Sequence, residues 1–238
     1  MINNRKIKLI NSLKRKKNRI EEGLFVVEGE KNIEELLDSD FQIFEIYATD
    51  DWLSDVEHIK ISSKDLGRIT SLSTPNKVLA LVKIPNLNSI NTGITSLVID
   101  GVNDPGNLGT IIRAANWFGI KQIICSSNSV DKFNPKVIMA SMGSIFKTDV
   151  IYTDLHKFLL DSKLPVYGAL LQGESIYDLN INSPCSFLLG SESHGISAEL
   201  IPLITNKTTI PGGKNTESLN LGVSAAIYCS EYFKQNSI

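Results

Sequence analysis

The 238-residue chain has few cysteines and few histidines, and neither type is clustered. Cys125, Cys185 and Cys229 stand far apart and form no C-x-x-C pair. They read as buried thiols of a reducing, cytoplasmic compartment rather than as disulfides or zinc ligands. His58, His156 and His194 complete no metal set with them, so no metal is expected. No apolar run approaches the ~18 residues of a membrane span, and the basic, polar start lacks the apolar core of a secretory signal. Nucleotide fingerprints are missing too. The stretch 100–109 has no G-x-x-x-x-G-K-[ST], and Gly101, Gly106 and Gly109 are not spaced as G-x-G-x-x-G. That argues against a P-loop enzyme and against a nucleotide-binding oxidoreductase. No serine-histidine-acid set stands at a nucleophile elbow.

Acidic residues are absent from the first twenty positions, which carry eight bases: Arg5, Lys6, Lys8, Lys14, Arg15, Lys16, Lys17 and Arg19. The whole chain has 24 bases and 26 acids, so residues 21–238 hold 16 and 26, a net charge of −10. Two readings are open. A basic extension on an acidic body suits a polyanion, with Arg5, Lys14, Arg15, Lys16 and Lys17 as contacts. Alternatively the segment is an amphipathic helix, Ile7, Ile10 and Leu13 packing on one stripe while the lysines face water. A mitochondrial transit peptide is disfavoured, because lysine outnumbers arginine and the segment runs directly into structured sequence.

What is present is ordinary globular composition, 42% hydrophobic and 21% charged, enough for one large domain or two small ones. A first α/β unit spans 1–84. It has strands at 24–27, 43–48 and 78–82, a helix after Gly29 with Ile33, Leu36 and Leu37 at core spacing, and a helix over 63–71 capped by Ser62 or Ser63. Residues 85–94, rich in Asn, Pro and Gly, read as a linker. A second unit, 95–238, opens on a strand at 96–100 that is apolar throughout, as for a strand covered on both faces. The helix over 104–118 has Asp104 and Pro105 at N-cap and N1 and Gly119 as its stop. Strands at 122–126, 150–152, 166–171, 186–189 and 208–210 alternate with helices at 134–142, 154–162, 197–204 and 218–233. That alternation predicts an α/β fold with a mostly parallel sheet and helices on both faces. There is no internal repeat and no low-complexity tract.

Three segments of the second unit put glycine or small polar residues where an apolar strand ends, the sheet edge where α/β proteins bind ligands. In the first, Arg113 follows Gly109 by one helical turn and would lean back over it toward the positive helix end. An unpartnered guanidinium there calls for an anion. The alternative is a surface cation paired to an acid. In the second, the strand breaks at Gly190-Ser191-Glu192-Ser193-His194-Gly195. Two glycines let the backbone approach a flat or charged ligand. Glu192 pairs with Arg113, binds a cationic or hydroxyl-bearing group, or simply sits favourably near the next helix start, and His194 is a bystander. In the third, Ile210-Pro211-Gly212 ends a strand and Ser218-Leu219-Asn220 opens an apolar helix. Ser218 serves as N-cap. Asn220, not needed for capping, wants hydrogen-bond partners. Backbone groups of Ile210, Gly212 and Leu219 suit an adenine edge, which presents both donor and acceptor.

The three segments together resemble the motifs of the SpoU/TrmH family of RNA ribose 2′-O-methyltransferases. N-x-G-x-x-x-R matches at Asn107, Gly109 and Arg113; G-x-E-x-x-G at Gly190, Glu192 and Gly195; and I-P followed by S-L-N at Ile210, Pro211, Ser218, Leu219 and Asn220. The basic start and Phe25-Val26-Val27-Glu28-Gly29-Glu30 are similar to that family's N-terminal substrate-binding domain. The resemblance implies a deep C-terminal trefoil knot, an exception to the rule against threading, and a homodimer with the cofactor near its interface. It implies a ribosomal-protein-like front domain that binds RNA. It also implies S-adenosylmethionine bound by Gly190, Ile210, Gly212, Leu219 and Leu170, and catalysis by Arg113, Asn107, Glu192, Ser218 and Asn220. Because guanidinium hardly deprotonates, Arg113 is expected to stabilise an alkoxide or anchor a phosphate. Ribosomal RNA of the large subunit is the expected substrate, with tRNA or a non-catalytic assembly role as alternatives. Two positions depart from the family pattern: Leu221-Gly222-Val223 after S-L-N, where Gly222 costs roughly 1 kcal/mol in a helix and would serve close helix approach, and Ala169, where relatives carry threonine.

Overall fold

The computed structural model describes residues 2–86, 89–213 and 217–236. Leu87 and Asn88 of the expected linker lie outside them. The basic start folds as two helices. In α1 (Asn4–Ser12) the Asn3 side chain accepts from the Lys6 N–H at 2.9 Å, an N-cap. α2 (Lys16–Glu22) stops at Gly23, whose φ of 64° is open to glycine at no steric cost. Ile10 and Leu13 are fully buried, with Ile7 packed beside them, as the amphipathic reading has it. Arg5, Lys8, Lys14, Arg15, Lys16 and Lys17 face solvent. Arg19 does not: it is buried, ion-paired with Asp131, and donates to the Leu13 carbonyl at 2.8 Å.

β1 (Leu24–Glu28), α3 (Glu30–Leu37), β2 (Ile43–Ala48), β3 (Ile59–Lys60), α4 (Ser63–Gly67) and β4 (Val78–Lys83) follow. They build a four-stranded sheet of order β1-β4-β2-β3, antiparallel except where β3 joins β2. Ile33 and Leu36 enter the core, whereas Leu37 is 38% exposed, a position short of the buried stripe. Ser62 caps α4, accepting from the Asp65 N–H at 3.1 Å.

The second sheet comprises β5 (Ser96–Asp100), β6 (Gln122–Ser126), β7 (Asp149–Thr153), β8 (Val166–Ser175), β9 (Ser186–Gly190) and β10 (Asn206–Thr209). Its order is β10-β8-β9-β5-β6-β7, and every pair is parallel. All five residues of β5 are buried, as its unbroken apolar run requires. Between and after the strands come α5 (Pro105–Trp117), α6 (Pro135–Ser141), α7 (Leu155–Ser162) and α8 (Leu221–Asn236). The three cysteines are buried, and burial pushes each thiol up to about 12.

Three expectations are corrected. Residues 197–204 form no α-helix; they make turns and one 3₁₀ turn, Ile201–Leu203, because Pro202 withholds an N–H and fixes φ in a segment too short to propagate. β8 continues past 171 to Ser175. Its pairing with β10 jumps from Lys207↔Gly168 to Thr208↔Glu174, so residues 169–173 arch out of the sheet. The last helix begins at Leu221 rather than 218.

The two sheets share one apolar core. Phe25 of β1 stacks on Phe133 at 4.2 Å between ring centroids, and Phe41 meets Phe146 edge-on at 5.2 Å. Val27 and Ile33 belong to the same buried cluster as Val102 and Ile138. The front unit is therefore held by burial as well as by the chain segment that joins it.

Candidate active site

Parallel strands bring their C-terminal ends to one edge, and β5, β9 and β10 end there in the three expected segments. At the first, Asp104 caps α5, accepting from the Asn107 N–H at 2.9 Å, with Pro105 just inside. The cap sets Asn107 in the first turn. Its amide donates to Oε1 of Glu192, and its amide oxygen accepts from Asn220 Nδ2 at 2.9 Å. Glu192, Asn107 and Asn220, from three distant segments, thus form one chain of hydrogen bonds.

Each end of that chain is fixed locally. Ser191 and Gly195 exchange backbone hydrogen bonds, N–H to carbonyl, at 3.1 and 2.9 Å, so Glu192 rides on a closed loop. Gly195 closes it at φ 68°. Gly190 must be glycine: a Cβ there would lie 2.0 Å from the Gly195 carbonyl carbon. The loop is tied to the end of β5, where the Ser197 N–H donates to Asp100 Oδ2 at 2.7 Å. At the other end Asn220, not Ser218, caps α8, accepting from the Val223 N–H at 3.2 Å while its carbonyl accepts from the Ser224 N–H. Asn220 is exposed rather than set among core residues. The expectation for Ser218 fails because the helix starts three residues later. Ser218 is exposed and makes no hydrogen bond with the described residues.

Arg113 lies further along α5, exposed and without a partner among the described residues. It does not pair with Glu192, which is taken by Asn107. Nor is the face of Gly109 left open for it. A Cβ on Gly109 would lie 2.4 Å from Ala140 Cβ, so this glycine lets α6 approach α5. Gly222 does the same for α8, where a Cβ would stand 3.1 Å from Thr110 Cγ2. Among the described residues the His194 ring meets only the Ser193 hydroxyl, at 2.7 Å, and its backbone N–H donates to the Ser191 hydroxyl at 3.2 Å.

Beside this relay the chain leaves backbone groups free. Ile210, Gly212 and Leu219 have no hydrogen-bond partner among the described residues. Leu219 is 48% exposed and Leu171, at the crest of the β8 arch, 77%. Leu170 is half-buried. The Thr209 hydroxyl reaches the Leu171 carbonyl at 3.4 Å, which sets the arch beside Ile210.

Residues 95–230 match the SpoU rRNA Methylase family, and residues 4–80 match the MRM3-like substrate binding domain. The chain belongs to the SpoU rRNA methylase family. It is 30% identical to the 23S rRNA (guanosine(2553)-2′-O)-methyltransferase RlmP of Bacillus subtilis, over 94% of each protein. A putative RNA methyltransferase of the TrmH family from Porphyromonas gingivalis superposes with a TM-score of 0.89 at 34% identity, covering 99% of this chain and 100% of the other. An AdoMet-bound rRNA methyltransferase from Sinorhizobium meliloti gives 0.88 at 26%, over 100% and 97%.

SpoU methylases use S-adenosylmethionine, and the residues here fit it. Unpaired backbone donors and acceptors at Ile210, Gly212 and Leu219 match an adenine edge, and exposed apolar side chains at Leu219 and Leu171 offer cover for a flat ring. Two residues beside these segments were not singled out from sequence. Asp100, which pins the Glu192 loop, was legible as an acid ending a buried apolar strand. Leu171, one residue past Leu170, is the more exposed of the two at the arch.

Proposed function

We propose that the chain methylates a ribose 2′-hydroxyl of ribosomal RNA, with 95–238 as the methyltransferase unit, 1–84 as the RNA-binding unit and 85–94 between them. The observation that carries this is the Glu192–Asn107–Asn220 relay. S-adenosylmethionine supplies an electrophilic sulfonium methyl. The protein's task is then positioning and charge control. The relay fixes which way the Asn107 amide faces, and it leaves Glu192 Oε2 free to accept a hydrogen bond from the ribose hydroxyl. The Arg113 guanidinium stabilises the negative charge that builds on the ribose oxygen as its proton passes to water, and the Ser218 hydroxyl orients the ribose. The Asp100–Ser197 bond keeps Glu192 at the sheet edge.

Several features support the finer reading. The last helix leaves the β10 edge of the sheet and packs back against α5, as a knotted end would. Trp117, Val223 and Phe233 are exposed on α5 and α8, an apolar stripe that a homodimer would cover. Buried thiols suit a reducing cytoplasm. Large-subunit rRNA is favoured by the named substrate of the Bacillus relative.

The test has two parts. Calorimetry with S-adenosylmethionine is expected to show binding by both the wild type and Arg113→Ala; absence of binding by the wild type would favour a non-catalytic assembly protein. Mapping of 2′-O-methyl groups in total RNA, with and without the gene, is expected to find one rRNA position that depends on it. Arg113→Ala is expected to lose at least about a hundredfold in turnover; near-normal turnover would remove Arg113 from the mechanism.

A further inference from the structure

A cavity of about 400 Å³ opens between the front unit and α6. Val26 and Leu72 line one wall, and Ile138, Met139 and Ala140 the other. The volume falls within the ~300–1,000 Å³ of small-ligand sites. One charged group lies inside this apolar lining: Glu28, 5% exposed. Its carboxylate is held at fixed orientation, Oε2 accepting from the Thr70 hydroxyl and Oε1 from the Ser71 N–H at 2.8 Å. A carboxylate has roughly four acceptor positions, so each oxygen retains one.

A cation stands at the mouth. Lys136, exposed, lines the rim. Lys14 donates to the carbonyl of Thr70, the residue whose hydroxyl holds Glu28, at 3.1 Å. The basic turn between α1 and α2 is therefore tied to the segment that holds Glu28. An apolar cavity with a fixed pair of acceptors and a cation at its rim suits an unstacked base on a phosphate chain. Guanine is the base whose Watson–Crick edge places two donors, N1–H and the 2-amino group, side by side against a carboxylate; adenine and cytosine offer only their exocyclic amine and uracil only N3–H.

We propose that the cavity between β1 and α6 takes an unstacked guanine of the substrate RNA, read by Glu28. The proposal rests on the RNA-modifying reading above and adds a base-specific contact to it. The cavity's far wall, α6, is the helix against which Gly109 seats α5, so a base held here also fixes the RNA relative to the motif helix that carries Asn107.

The experiment uses the full chain and fluorescently labelled uridine heptamers with G, inosine, A or U at the centre, read by anisotropy at fixed salt. Inosine lacks only the 2-amino donor. The wild type is expected to bind the guanosine oligomer about tenfold more tightly than the other three. Glu28→Gln, which exchanges one acceptor for a donor, and Leu72→Trp, which narrows the mouth without touching the Glu28 bonds, are each expected to remove that preference. Unchanged affinity for S-adenosylmethionine shows that the variants are folded. Equal wild-type binding of all four oligomers, with the usual salt dependence, overturns the guanine site and leaves the methyltransferase reading standing. So does a guanine preference that survives in Glu28→Gln, or GMP alone binding as tightly as the oligomer. Failure to bind any RNA overturns the underlying reading as well.

Discussion

Asn220 donates through its amide nitrogen to the Asn107 amide oxygen at 2.9 Å, across 113 positions of chain, while its own amide oxygen caps α8. The two ends of one amide do different work, and substitution can separate them. Asn220→Asp keeps an acceptor for the Val223 N–H, since aspartate caps as well as asparagine. It cannot donate to Asn107 and sets oxygen against oxygen. The expected result is a urea unfolding free energy within about 0.5 kcal/mol of wild type and methyl transfer slowed at least about tenfold. Asn220→Ala should show the same slowing with about 1 kcal/mol of stability lost as well, because the cap goes too. Wild-type turnover in Asn220→Asp would mean the relay does not orient the reacting groups.

Gly109 lies within the first motif, yet its neighbours assign it to packing. In Gly109→Ala the new Cβ meets Ala140 Cβ at 2.4 Å and the Val137 carbonyl oxygen at 2.9 Å, neither of them the tip of a flexible side chain. Alanine gains about 1 kcal/mol in helix propensity, but forcing α5 and α6 apart costs about 1–3 kcal/mol and more where backbone must shift. The expected sign is destabilisation in urea melts. Gly212→Ala is the control: its Cβ would meet nothing within 4 Å, and stability should not change.

The boundary between what was readable in the sequence and what was not follows the range of the forces involved. Local signals read well. Asp104, Pro105 and the run 96–100 specify a cap, a first turn and a doubly covered strand without outside help. The motif residues were legible as types at a sheet edge, but their pairing was not. That Glu192 takes Asn107 rather than Arg113 depends on where the closed 191–195 loop sits against α5. Ser218 looked like a cap because serine before an apolar run usually is one; Asn220, equally good and nearer the helix, won that role. The helix expected over 197–204 had the spacing but also Pro202. The arch at 169–173 depends on β10 as its partner, which no local pattern encodes.

Arg19 turns the basic start from an appendage into part of the fold. Its guanidinium is buried against Asp131, from the second unit, and against the Leu13 carbonyl. Removing one partner of a buried pair leaves the other charge uncompensated, at a cost of about 3–5 kcal/mol. Arg19→Ala is therefore expected to lose about 3 kcal/mol in chemical denaturation, the lower end because Asp131 is slightly open to water. The double variant Arg19→Met with Asp131→Leu should recover most of that loss, as apolar replacements of buried pairs do. A cost under about 0.5 kcal/mol for the single variant would mean the pair is not formed in solution.

The remaining cations of that segment are separable from stability. Deleting residues 1–20 would remove Ile10, Leu13 and Arg19 from the core, so loss of RNA binding in such a truncation would report unfolding. Substitution at the exposed turn avoids this. Lys14, Arg15, Lys16 and Lys17 all face solvent; Lys14 spends one bond on the Thr70 carbonyl and Lys17 makes only a long contact with Glu21, at 3.7 Å. Each phosphate contact to a single strand contributes about 0.7 to the slope of log affinity against log salt. Replacing all four by alanine is expected to lower that slope by up to about 3, to weaken RNA binding mainly at low salt, and to leave both the unfolding midpoint and S-adenosylmethionine affinity unchanged. An unaltered slope would place the RNA path elsewhere and return this turn to being only the solvated face of two helices.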